Sequence, residues 1–295
     1  MTEITKIEIT EEKIGEENND INVESPENGH ENNDDSSFQP AGEIKSYENE
    51  ENYHMDEEKE YENEQNLQLN IEASVRNGFI RKVYGILSIQ LIITFSFVLL
   101  FQLPSIKKLI LSNLQLAGNV LLFSSISFLF LFLILACSRN LSKTVPYNYI
   151  FLLGITLSEA LSCAIVSSCY SFEVVAISLF LTIVSTLTIT LYACTTKSDF
   201  SYLRVILYII FSQLFMVGLI SILFRIQILY SFYTFLSTIM VGIYLVYDTQ
   251  LIMGKFGYAY SVDDYIFATL EIYMDIIRLF LLILRIVAQA SSKKH

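Results

Sequence analysis

From about residue 83 onward the chain alternates long apolar windows with short polar breaks. The windows fall at about residues 83–103, 116–137, 147–170, 174–194, 203–224, 226–247 and 265–288. Each is close to the roughly 20 residues that a helix needs to cross a hydrocarbon core. Seven helical segments are therefore predicted, the fifth and sixth separated by little more than Arg225, which implies a tight hairpin. No internal repeat is visible. In hydrocarbon the backbone must satisfy its own hydrogen bonds, so the predicted fold class is an all-α integral membrane protein with a seven-helix bundle. Residues 1–75 show no such windows and form a separate tail, which leaves 76–290 as the membrane domain.

Polar residues inside the apolar windows carry the chemical interest. Asp248 closes the sixth window in Tyr247-Asp248-Thr249-Gln250, and Asp275 lies inside the seventh. A carboxylate in hydrocarbon costs roughly 2.5 to 3.5 kcal/mol on insertion scales, so both are candidate functional residues by default. Glu271, four residues before Asp275, and Arg278, three after it, share its stripe at helical periodicity. A helix with one polar face is stable in a bilayer only when other helices surround it, so the seventh segment is expected at the centre. Glu159, in the third window, is a further acid that either lines a cation route or stays neutral against a neighbouring helix. Arg285 is expected to snorkel to headgroups.

Charge is unevenly divided. Residues 1–75 hold 23 of the 31 acids and four lysines, so the tail carries −19 and the rest of the chain +7. An acidic, Asn- and Glu-rich segment with few large apolar residues buries too little to offset ordering entropy, so the tail is expected to be disordered. Its acidity argues against nucleic acid as a partner and against anionic lipid. There is no basic segment followed by a short apolar one at the start, so the first window is expected to target the chain to the membrane. The three histidines are His30, His54 and His295, which leaves no imidazole in the membrane domain for a His-ligated metal or a Ser/His/Asp triad. Cys137, Cys163, Cys169 and Cys194 lack metal-ligand spacing and read as small core residues. No cofactor or resident metal is expected, and the chain does not read as an enzyme.

Lys and Arg are enriched on the cytoplasmic side of membrane proteins. A cytoplasmic N-terminus places Arg76, Arg81, Lys82, Arg139, Lys143, Lys197, Arg204 and Lys255 inside, against Lys107, Lys108 and Arg225 outside, and is preferred. The side of Lys293 and Lys294 depends on whether the seventh segment crosses. In this orientation Arg139, Asp248 and the start of the seventh segment converge at one membrane end. Ser261-Val262-Asp263-Asp264 precedes that segment and reads as a helix cap; the alternative is a cation site on Asp263 and Asp264. If Asp248 and Asp275 come within hydrogen-bonding distance they cannot both be ionised, and they share one proton near neutral pH. Loss of that proton separates them or recruits a cation, with Arg139 as the candidate counter-ion. The alternative is that Asp275 pairs with Arg278 on its own helix and Asp248 meets solvent.

The stretches Arg76-Asn77-Gly78-Phe79-Ile80-Arg81-Lys82-Val83-Tyr84, Pro146-Tyr147-Asn148-Tyr149-Ile150, Tyr247 to Gly254, and Asp264-Tyr265-Ile266-Phe267-Ala268 running on to Asp275 and Arg285 resemble the Bax inhibitor-1 family, in its lifeguard branch. The likeness covers roughly residues 75 to 288. It implies six helices around a seventh, with a pH-sensing aspartyl dyad, Asp248 and Asp275, latched by Arg139 and gating a calcium leak from an internal store. It also implies an endoplasmic reticulum or Golgi location, a cytoplasmic tail, suppression of cell death, and calcium and protons as the ligands. Two residues depart from the family pattern: Glu271 and Arg278 stand where asparagines are usual, and are expected to shift the pH response. Competing readings are a non-conducting scaffold for other membrane proteins and an intramembrane aspartyl protease. The protease needs a Gly-x-Gly-Asp that Tyr273-Met274-Asp275 lacks.

Overall fold

The computed structural model describes residues 41–196, 203–224, 226–255 and 260–292. Among them the order is α1 (Ala41–Phe101), α2 (Pro104–Ser112), α3 (Leu114–Cys137), α4 (Arg139–Lys143), α5 (Tyr147–Ser168), α6 (Phe172–Thr195), α7 (Leu203–Leu223), α8 (Gln227–Ile252), a 3-10 turn (Val262–Asp264) and α9 (Tyr265–Ser292), with no strand. The seven apolar windows coincide with α1, α3, α5, α6, α7, α8 and α9. Five helices are long and apolar enough to cross a membrane, from Tyr61–Phe101, Leu114–Cys137, Tyr147–Ser168, Phe172–Thr195 and Gln227–Ile252. The apolar part of α7 is shorter, Ile206–Ser221, and α9 is set apart by its charges.

The chain divides into two compact units, Met1–Glu62 and Asn63–His295. α1 runs from Ala41 to Phe101. Residues 41–75 are helical, while 1–40 lie outside the described residues. Glu, Lys, Gln and Leu are good helix formers, and residues 43–77 contain neither Gly nor Pro to break the turn.

Caps and short connections make successive membrane helices antiparallel. Pro104 opens α2 at the position where a missing N–H is harmless. The Asn113 side chain accepts from the Leu116 N–H at 3.2 Å to start α3, and Ser171 accepts from Val174 at 3.4 Å to start α6.

α9 is the core of the second unit. Fifteen of its 28 residues are buried, against three of the 24 in α3, so α3 is peripheral and α9 is enclosed. It packs on α8, α6 and α5, and α1 closes the remaining side through Phe95, whose ring meets Phe280 edge-on at 5.9 Å. Polar ties fix the register. The Thr94 and Tyr273 hydroxyls lie 2.8 Å apart, Gln90 Nε2 donates to Thr156 Oγ1 at 2.8 Å, and Asn148 Nδ2 donates to the Tyr265 hydroxyl at 2.8 Å. Each pairs groups that would be costly to leave unmatched in hydrocarbon.

Gly254 ends α8 with φ of +77°, a left-handed conformation that glycine adopts without strain. A Cβ there would also lie 3.0 to 3.1 Å from the Arg76 guanidinium group. Gly254→Ala is therefore expected to destabilise the protein by about 1 to 3 kcal/mol. Thermal unfolding of the detergent-purified protein checks this, and an unchanged midpoint contradicts it.

Candidate functional site: a carboxyl pair at the centre of the bundle

The site is built by the end of α8, the middle of α9 and the loop that joins them. Asp248 lies one turn before the end of α8, and Asp275 lies ten residues into α9. The two carboxyls lie close enough for each to act on the other's charge, and both line one cavity. Asp275 is 4% exposed, Asp248 is half-buried, and Asp275 Oδ2 meets no N–H or hydroxyl donor among the described residues. Two carboxyls side by side away from water repel one another unless a proton lies between them.

Arg278 sits on the next turn of α9, its Nη1 3.7 Å from Asp275 Oδ1. Asp275 therefore has a guanidinium neighbour in Arg278 and an acidic neighbour in Asp248. Arg278 also reaches Glu159 of α5 electrostatically. Glu159 is half-buried, with Cys163 Sγ 3.9 Å from its Oε1. One guanidinium thus serves acids on two helices. Glu271, one turn before Asp275, accepts a short hydrogen bond from the Tyr260 hydroxyl, and its charge bears on both aspartates. Arg139 opens α4 immediately after α3. Its side chain lies outside the described residues, so the proposed latch role has no contact to set beside it.

A cavity of about 670 Å³ opens beside the pair, with Asp248, Tyr260, Glu271, Asp275 and Arg278 among its lining. A second, of about 520 Å³, lies on the other side of Asp275 and Arg278. Tyr244, Asp275 and Arg278 line both, so the ion pair stands at the wall between two cavities.

Two cations tie the α8–α9 loop to distant helices, Arg76 from α1 and Lys255 from the loop itself. Arg76 of α1 donates to the Leu251 carbonyl at 2.7 Å and to the Tyr260 carbonyl at 3.4 Å. Lys255 donates to the carbonyls of Ala193, Cys194 and Thr196 at the end of α6, at 2.7 to 3.2 Å. These helix-end carbonyls lack partners of their own, and a cation there also meets the negative end of the helix dipole. Tyr260, which no motif marked, joins the two features: its backbone is held by Arg76 and its hydroxyl by Glu271.

At the start of α9 the Ser261 N–H and hydroxyl donate to Asp264 Oδ2 at 3.1 and 2.7 Å, and Lys143 Nζ lies 3.1 Å from Asp264 Oδ1. Asp264 is thus a capping residue paired with a lysine. Burial works to raise its carboxyl, but Ser261 and Lys143 outweigh that and hold it below the usual carboxylate range. A lowered value in the folded state contributes stability that is complete above the ordinary value, about 3.9, and is lost as pH falls through the folded value. Asp264→Asn is expected to lower the thermal midpoint at neutral pH and to converge with wild type in acid. A gap that persists unchanged in acid contradicts this.

Apolar helices of membrane length around a charged central helix, with an acid pair buried at the contact of α8 and α9, define a multi-pass α-helical membrane protein. A family model described as "Inhibitor of apoptosis-promoting Bax1" matches residues 76–292, and the chain belongs to this, the Bax inhibitor-1 family. It is similar to Protein lifeguard 3 of Homo sapiens, 31% identical over 220 residues that cover 73% of this chain and 70% of that protein. The Mus musculus lifeguard 3 is likewise 31% identical over 221 residues, covering 73% and 70%. The Golgi anti-apoptotic protein of Vaccinia virus (strain Lister) is 30% identical over 220 residues, covering 75% of this chain and 88% of the viral protein.

Proposed function

We propose that the chain forms a pH-sensitive calcium leak in an intracellular membrane, endoplasmic reticulum or Golgi, and by lowering stored calcium protects the cell from death. The observation that carries this reading is that Asp248 of α8 and Asp275 of α9 line the same cavity, each acting on the other's charge. With the shared proton in place the pair ties α8 to α9. When it is lost, two like charges in low dielectric push apart, and the helix contact between the cavities loosens. Arg278 then offers Asp275 a partner within its own helix, which stabilises the separated state. Arg139 is kept as a second partner, Glu271 as a modulator and Glu159 as a lining residue of the cation route.

Membership of a family named for opposing an apoptosis-promoting protein, and likeness to a viral protein named Golgi anti-apoptotic, support the protective role and the Golgi as a location. The N-terminal tail is assigned to the cytoplasm from the distribution of Lys and Arg. Purified protein in liposomes holding a calcium dye tests the reading. Calcium flux that changes with pH supports it, and an absence of flux at every pH leaves the scaffold reading in its place.

A further inference from the structure

The second cavity has a lining unlike the first. It lies between α7, α8 and α9, with apolar walls from Phe211, Leu214 and Phe215 of α7 and Met240 of α8, and with Arg278 and Arg285 on the α9 side. Seven residues apart on a helix, the two arginines are two turns from one another on the same face, about 10.5 Å along the axis.

Their charges are differently placed. Arg278 is paired with Asp275 at 3.7 Å. The Arg285 guanidinium lies 5.8 Å from the centre of the Tyr230 ring, and no carboxylate comes within ion-pair distance of it among the described residues. A guanidinium stays charged at any physiological pH and is costly in an apolar cavity without an anion. Among the described residues the cavity therefore carries one positive charge that no carboxylate matches.

Depth indicates where the anion comes from. Arg285 is 20 residues beyond Tyr265, about 30 Å along α9, which is about the thickness of the hydrocarbon core. An α9 that crosses the bilayer from Tyr265 brings Arg285 to headgroup level at the membrane end opposite the α8–α9 loop. Asp275 lies ten residues back, about 15 Å, or half that thickness. The cavity accordingly runs from headgroup depth to mid-bilayer, the reach of one acyl chain in one leaflet. Its volume of about 520 Å³ falls within the range of about 300 to 1,000 Å³ usual for small-molecule sites. A snorkelling arginine meets whichever headgroup drifts past; an apolar slot beneath it retains one.

We infer that this cavity holds one anionic phospholipid of the surrounding bilayer, with its phosphate on Arg285 and one acyl chain laid between α7 and α8. The planar guanidinium suits a phosphodiester, and the single unmatched charge suits a monoanion. Arg278 stays with Asp275, so the site needs no change at the acid pair and does not rest on the leak.

The test uses the full chain in phosphatidylcholine liposomes containing phosphatidylglycerol with a photoreactive diazirine in one acyl chain. Label is expected on peptides holding Phe211 to Phe215 and Met240 to Val241, and to be competed by unlabelled phosphatidylglycerol but not by phosphatidylcholine. Arg285→Gln is expected to cut it about tenfold, the scale of a lost hydrogen bond to a charged group. Arg285→Lys should restore most of it, and Lys108→Gln, an exposed cation at the same membrane end, should leave it unchanged. Label spread evenly onto outward residues of α3 such as Phe123 and Phe130 overturns the inference, as does equal competition by phosphatidylcholine. Displacement by oleate as effective as by phosphatidylglycerol assigns the slot to a free fatty acid and overturns it too. The competition needs no variant, so it holds even where Arg285→Gln fails to fold.

Discussion

Protein carrying both Asp248→Asn and Asp275→Asn, placed in liposomes with a calcium dye, is expected to leak calcium at a rate that no longer changes between about pH 5 and about pH 8. Asparagine keeps the size and hydrogen bonds of the carboxyl and removes its titration, so the α8–α9 contact survives while its dependence on protons is lost. The single variants separate the partners. Asp275 is the buried member and lies beside both Asp248 and Arg278, so Asp275→Asn frees Arg278 as well as ending proton sharing. Asp248→Asn ends the sharing and leaves the Asp275–Arg278 pair intact. The first is expected to perturb the absolute rate more than the second. Equal pH dependence in wild type and the double variant removes the pair from the gate.

The second large effect concerns the charges that set this chain apart. Arg278→Asn takes away the cation 3.7 Å from Asp275. Because an adjacent arginine shifts a carboxylate by about 1 to 3 pH units, the flux midpoint is expected to move to higher pH by about one unit or more. Glu271→Asn removes a like charge that is already engaged by Tyr260, and should move the midpoint the other way by less. The double variant is expected to lie between the singles and not to coincide with wild type. A double variant whose curve superimposes on wild type shows that the two charges cancel at the pair, and that the departure from the family pattern has no effect on gating.

Much of the architecture was legible because membrane helices write themselves into sequence as long apolar windows, and the seventh window announced its central place by carrying Glu271, Asp275 and Arg278 on one stripe. From spacing alone the acids were legible only as two isolated carboxyls in membrane-grade sequence, and it was the family resemblance that paired them; their approach depends on how α8 meets α9, which spacing does not encode. The α8–α9 loop was hidden for a related reason. Arg76 and the Leu251 carbonyl are 175 positions apart, and a carbonyl acceptor has no residue type, so no motif could point to it. Tyr260 was one tyrosine among 18. The helix over 41–75 rests on local propensity, a run of strong helix formers without Gly or Pro, rather than on a buried face.

The most direct measurement of a proton shared by Asp248 and Asp275 is the infrared carbonyl band of protonated carboxyls in the membrane-embedded protein, followed as pH is raised through neutrality. The account predicts such a band near neutral pH in wild type, lost or displaced in Asp248→Asn and in Asp275→Asn alike, with a midpoint that coincides with the calcium flux midpoint. A band absent at neutral pH, or one that persists unchanged in both variants, contradicts it.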